Sequence, residues 1–226
     1  MQNKLNLPLI ALCLLMLAAL SSCKKDEVPG LSAKIQKIVP QAALDDMKSK
    51  GLLINEGNTP PSIEGIFEAD PYTLLSPYGP EDGWSKGKVI EKYRYRFSGQ
   101  QGDEVKLEEK QINGNNTGSG IASFLAGSGN KFTLFGEVVG SSSGIATKTL
   151  TVISGEITST GIKDFQYAFV LTNKTGDDDD DVLMPVNKSR VWIDGNQIAT
   201  KVGSFRIPAT DAPVASTNVR SLLSAR

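Results

Sequence analysis

The chain has 226 residues, 22% of them charged and 39% hydrophobic, with 24 basic side chains against 25 acidic ones. That is enough apolar material for one substantial core, and a net charge of −1 argues against nucleic acid or an anionic membrane surface as the main partner. Histidine is absent, which excludes Ser-His-Asp and Cys-His nucleophilic systems, His-ligated zinc and the commonest general base.

Residues 1–22 read as a lipoprotein signal peptide. Lys4 supplies a positive start, and residues 7–20 form an apolar core of about 14 residues, long enough for a secretory h-region and too short to span a bilayer. Leu20, Ser21 and Ser22 then place one aliphatic and two small residues before Cys23. This resembles the lipobox of bacterial lipoproteins. The resemblance implies cleavage before Cys23, a diacylglycerol on its sulfur and often a third acyl chain such as palmitate on its amine. Two or more chains give stable anchoring where one is marginal. Lys25, Asp26 and Glu27 resemble the Lys-acidic-acidic signal that sends lipoproteins of Bacteroidetes-type bacteria to the outer face of the outer membrane; the alternative is a solvated charged tether. The expected location is therefore the bacterial outer membrane, lipid-anchored and surface-exposed. The second cysteine, Cys13, lies in the leader, so a mature domain is expected to be held by packing without a disulfide.

Residues 23–31 form a tether, and residues 32–207 are expected to form a single domain that opens with a helix over 32–50. Ile35, Ile38 and Val39 recur at helical spacing, Pro40 suits the first turn of a second piece containing Leu44 and Met47, and Gly51 after Lys48 and Lys50 is the expected stop. Such a helix is expected to pack across one end of a sheet. Between 52 and 83, prolines fence two short apolar runs, which predicts edge strands or extended crossings. Ile54-Asn55-Glu56-Gly57, Pro60-Pro61-Ser62-Ile63-Glu64-Gly65-Ile66-Phe67, Ser76-Pro77-Tyr78 and, further on, Gly161-Ile162-Lys163-Asp164-Phe165 resemble a family of uncharacterised Bacteroidetes-type surface lipoproteins. The resemblance covers about residues 38–195 and implies a shared fold without naming a reaction.

The remainder reads as strands separated by turns. In 88–98, Val89, Tyr93, Tyr95 and Phe97 share one face and Lys92, Arg94 and Arg96 the other. Turns are predicted at 99–102, 113–116, 127–130, 140–144, 159–161 and 194–196, the last joining 190–193 to 197–202 as a hairpin. Long strands joined by short hairpins make an all-β, antiparallel up-and-down meander. We expect it to close as a lipocalin- or calycin-like barrel, with a β-sandwich as the alternative. Gly65-Ile66-Phe67 after a helix resembles the Gly-x-Trp start of lipocalins, with Phe67 in the place of Trp and Arg190 or Arg206 as the late-strand arginine. Residues 208–226 carry little to bury and read as a loosely ordered tail.

Few residues suggest chemistry. Asp177, Asp178, Asp179, Asp180 and Asp181 form an acidic run whose metal reading is calcium, but the Gly and Glu of an EF-hand loop fall on the wrong residues; a solvated loop is the plainer reading and no metal or cofactor is expected. Gly114 to Gly120 and Gly140 to Gly144 lack the Gly-Lys-Ser/Thr ending of a phosphate cradle. Glu64, Glu91, Glu137 and Glu156 lie in or beside apolar alternation, where a pair about 5 Å apart would suit glycoside hydrolysis. Alternating Tyr93, Tyr95, Phe97, Phe165, Tyr167 and Phe169 read as core first and as the lining of a ligand cavity second.

The leading expectation is a membrane-anchored, non-enzymatic binding or envelope-structural module whose partner is a protein, a glycan or a small apolar ligand. One alternative is a lipocalin-like carrier of a small apolar molecule; the other is a carboxylate-dependent glycan hydrolase. An apolar cavity of roughly several hundred Å³ favours the carrier, a wet cleft with paired carboxylates the hydrolase, and a filled core the interaction module.

Overall fold

The computed structural model describes residues 30–206, so Leu20, Ser21, Ser22, Cys23, Lys25, Asp26, Glu27 and the tail lie outside the described residues. Among the described residues two short helices come first, α1 (Ala33–Ile38) and α2 (Gln41–Ser49). Ser32 caps α1 by accepting from the Ile35 amide, and Pro40 stands at the start of α2, which explains the break between them. Gly51, at φ +95°, ends α2: its amide donates to the Lys48 carbonyl and the Leu52 amide to the Met47 carbonyl, satisfying carbonyls that the helix leaves open.

Eleven strands follow among the described residues, in one antiparallel sheet: β1 (Gly65–Ala69), β2 (Tyr72–Ser76), β3 (Val89–Ile90), β4 (Tyr93–Gln101), β5 (Glu104–Gln111), β6 (Thr117–Ser128), β7 (Lys131–Ser142), β8 (Ile145–Ile157), β9 (Gly161–Thr175), β10 (Ser189–Asp194) and β11 (Ile198–Lys201). From β4 to β10 each strand pairs with the next in the chain, which is the expected meander. β11 pairs with both β1 and β9, so the ladder returns to its own beginning.

Successive side chains on a strand point to opposite faces, and the two faces have different cores. On the aromatic face Tyr93, Tyr95 and Phe97 of β4, Phe132 and Leu134 of β7, and Phe165, Tyr167 and Phe169 of β9 join one buried cluster. On the opposite face Phe135, Leu150, Val152, Ala168, Val170 and Val191 meet Ile35, Leu44 and Met47 of the helices. The helices therefore lie against this opposite face, at β6, β7, β9 and β10, and do not cross an end of the sheet. Their seat is fixed by polar groups as well: Gln166 accepts from the Leu53 amide and donates to the Gly51 carbonyl, and Thr133 accepts from the Asn55 amide.

Three local expectations are corrected. The segments 190–193 and 197–202 do not form a hairpin; β10 and β11 follow one another along the same edge of β9, and residues 194–197 are a kink between them. Asp194 holds that kink by accepting from the amides of Asp70, Asn196 and Ile198. The proline-fenced runs are not edges either, because β1 is paired on both sides by β4 and β11, and β2 by β3 and β10. Pro71, after a cis peptide, falls in the break between β1 and β2, where its lack of an N–H costs no ladder bond. Val89 is exposed, since β3 is cut off from β4 at residues 91–92 and loses its phase.

Candidate functional site

On β5 the alternation Val105, Leu107, Glu109, Gln111 carries an acid onto the aromatic face. Register places Glu109 between Tyr95 of β4 and Gly118 of β6. The glycine leaves room for the acid: a Cβ at Gly118 would stand 2.7 Å from Glu109 Oε1 and from Val138 Cγ1, so one of these side chains would have to shift. From β9, the Tyr167 hydroxyl donates to Glu109 Oε1 at 3.3 Å. Nearby, Asn116 donates to the Tyr93 hydroxyl at 3.0 Å and accepts from the Ser143 amide, joining the β5–β6 loop to the β7–β8 tip. Thr149 and Thr151 share a hydrogen bond at 3.0 Å on β8, and the hydroxyls of Tyr72 and Tyr95 lie 2.6 Å apart deeper in the core.

Some of these groups border a cavity of about 30 Å³, lined among others by Tyr93, Glu109, Asn116, Thr149, Tyr167 and Phe169. Glu109 as a whole is half-buried, but its Oε2 is sealed and bonded by no protein group among the described residues. Burial raises the Glu109 carboxyl from 4.5 to about 7, and the Tyr167 hydrogen bond offsets only part of that rise. Burial likewise lifts the phenols of Tyr72, Tyr95 and Tyr167 well above their ordinary value, and the Glu109 charge pushes each further in the same direction.

A second buried ionic group closes a neighbouring part of the fold. Arg190 on β10 donates through Nε to Asp82 Oδ2 at 2.8 Å and through an Nη to Oδ1, and both side chains have 0% exposure. Asp82 also accepts from the amides of Tyr78 and Trp84, and the guanidinium lies 4.5 Å from the Trp84 ring centre and 5.3 Å from that of Tyr78. Arg190, read from the sequence as a late-strand arginine, thus stacks on an aromatic pair from the loop of residues 77–88. Arg206 is exposed, and its carbonyl accepts from Arg94.

The remaining candidates are dispersed. Asp177 is buried and turned inward onto its own loop, where it accepts from Lys174 and from the amides of Val182 and Leu183; burial raises its carboxyl, but the lysine and the two amides outweigh that and leave it below its ordinary value. Asp180 pairs with the same lysine, while Asp178, Asp179 and Asp181 are exposed. Among the described residues no three acidic, histidine or cysteine side chains gather as a metal site. Glu64 accepts from the Gln100 amide, Glu91 lies in the break between β3 and β4, Glu137 pairs with Lys148 beside α2, and Glu156 stands opposite Lys131 on the β7–β8 ladder, so the four glutamates singled out in the sequence serve separate places.

Glu109 was not among them. The signal that could have found it is the phase of β5: continuing the alternation of Val105 and Leu107 by one step puts an acid where a core residue belongs. No protein-family model, curated protein or solved structure matches the chain.

Proposed function

We propose that this chain is a lipid-anchored extracytoplasmic lipoprotein whose β domain is a non-enzymatic binding or envelope-structural module. In this reading Cys23 carries the acyl chains, Lys25-Asp26-Glu27 directs the protein to the outer surface, and the returning ladder is a closed, calycin-like barrel. Closure is supported by the double pairing of β11 and by the continuity of β1 with β2, β3 with β4, and β10 with β11 as kinked long strands. It also leaves no long unpaired edge to associate with other chains.

The observation that carries the module reading is the filled aromatic core. Tyr72, Tyr95, Tyr167, Phe165 and Trp192 occupy the space in which a carrier would hold its cargo, with ring centres 5.2 to 6.4 Å apart. The cavity beside them, about 30 Å³, falls far below the roughly 300–1,000 Å³ of small-molecule pockets, and the larger space of about 570 Å³ lies outside this core, between α2 and the opposite face of β8 and β9. The separated glutamates give no pair for glycoside hydrolysis.

The test is replacement of the anchoring sulfur. Expressed in a Gram-negative host, wild-type protein is expected acylated and in the membrane fraction, and Cys23→Ser unacylated, either soluble after cleavage elsewhere or held at the membrane by an uncleaved leader. Membrane retention and unchanged processing of Cys23→Ser overturn the anchor.

A further inference from the structure

On the face opposite the aromatic core, residues that stand against one another across successive ladders form one lateral row: Arg96, Glu108, Ser119, Val139, Lys148 and Asn173, on β4 to β9 in turn. The described chain ends at one end of this row. After β11 the Val202 amide donates to the Ile66 carbonyl, the carbonyls of Ser204 and Arg206 accept from Arg94, and the Phe205 ring centre lies 4.6 Å from the Arg96 guanidinium. At the other end, Lys148 and Asn173 border an open groove of about 570 Å³. α1 lies on β6 and β7 and α2 on β9 and β10, and the groove opens over β8 between them. Its helical wall, Ile38, Pro40, Ala42 and Ala43, is partly or fully exposed, and its floor is Leu150 and Val170. Between the two ends the row crosses β6 and β7, where Ile121 and Val139 leave large apolar side chains in solvent.

We propose that residues 207–226 of this same chain continue along the row and cover the groove, with Val219, Leu222 and Leu223 against Ile38, Pro40 and Ala43. Position and reach support this occupant. Four strand spacings separate Arg96 from Lys148, about 19 Å along the surface. Residues 207–222 extend to roughly 50 Å and still span about 24 Å as a helix, so the segment arrives in either form. Its apolar content also falls where the groove is. Val219, Leu222 and Leu223 stand at i, i+3 and i+4, the spacing of one face of a helical turn, after a stretch of mostly small and polar residues. A segment tethered at Arg206 meets the groove at an effective concentration on the order of millimolar, so it needs far less intrinsic affinity than a separate partner. The inference goes beyond the module reading and makes no use of the anchor at Cys23, so the two fail or stand separately.

The experiment uses the full-length protein in detergent. Ser221→p-benzoylphenylalanine places a photo-cross-linker between Val219 and Leu222 and leaves the apolar residues in place. Irradiation is expected to give a monomeric product whose cross-linked peptides contain residues 38–46 or 148–150. Hydrogen exchange reads the same contact without any substitution: the amides of residues 219–224 are expected to exchange at least about tenfold more slowly than in a free peptide of residues 207–226. Ala42→Glu sets a charge at the groove mouth on a residue that is already exposed, so far-UV circular dichroism is expected to be unchanged while exchange of residues 219–224 rises to the peptide's rate. Cross-links confined to other surfaces, unprotected exchange in the wild-type protein, or protection undiminished in Ala42→Glu overturns the proposal. Cross-linked dimers overturn it as well and assign the groove to a second copy of the chain.

Discussion

Asp82 and Glu109 are both acids turned into the protein, and they are accommodated in opposite ways. Asp82 meets a guanidinium, two backbone amides and two flanking rings, so each of its oxygens is answered. Among the described residues Glu109 meets one phenol and no cation, and its second oxygen is left without a partner. The difference separates a charge used to fix structure from one held in reserve: the first is neutralised where it stands, and the second is raised toward neutrality by its surroundings.

The comparison can be broken most forcefully at Asp82. Asp82→Ala leaves Arg190 buried without its counter-ion and is expected to cost about 3–5 kcal/mol, measured by urea unfolding at pH 7. A loss below about 1 kcal/mol would show that the pair does not hold the loop of residues 77–88 to β10.

Glu109 predicts the reverse sign. Its folded carboxyl titrates at about 7 against 4.5 for an ordinary glutamate, so the group is protonated in both states below about 4.5 and costs the fold nothing there. As pH rises through the window from 4.5 to about 7 the unfolded chain releases its proton first, and stability is lost progressively before levelling off. Glu109→Gln removes that loss: it should match wild type at pH 4 and exceed it by about 2–3 kcal/mol at pH 8, read from paired denaturation curves. Equal curves at both pH values would mean that the carboxylate is solvated.

Gly118→Ala sharpens the point by steric means. The added carbon meets Glu109 Oε1 and Val138 at 2.7 Å, so a cost of about 1–2 kcal/mol is expected, and it should shrink in part in the Glu109→Ala background, where Val138 is the obstacle that remains. The smallest effect belongs to the partly exposed Arg96–Glu108 pair on the other face of β4 and β5. Its double-mutant coupling should lie at about 0–1 kcal/mol and fall with added salt, unlike the buried pair.

Much of the sheet was legible residue by residue. Alternation in Tyr93, Tyr95, Phe97 and in Phe165, Tyr167, Phe169 marked the buried face, and Asn, Gly and Ser clusters marked most of the turns, because both signals depend on residues adjacent in the chain. Asp194-Gly195-Asn196 misled for the same reason. Its local chemistry is that of a turn, and what makes it a kink is the edge of β9, which keeps β10 and β11 in line. The prolines before Tyr72 misled in the same way: a residue without an N–H is tolerated between two paired strands when it falls in a break that neighbouring strands share.

The amino-acid sequence by itself determined the class of fold, the meander order and the chemistry that is missing, since composition and period-two patterning are properties of short stretches. Tertiary structure alone decided that the ladder returns through β11, that the helices cover the face opposite the aromatic core, and that Glu109 lies among aromatic rings with no cation beside it among the described residues. Those facts depend on which strands become neighbours, and an acid one step along an amphipathic strand looks like any other until the residue opposite it proves to be a glycine.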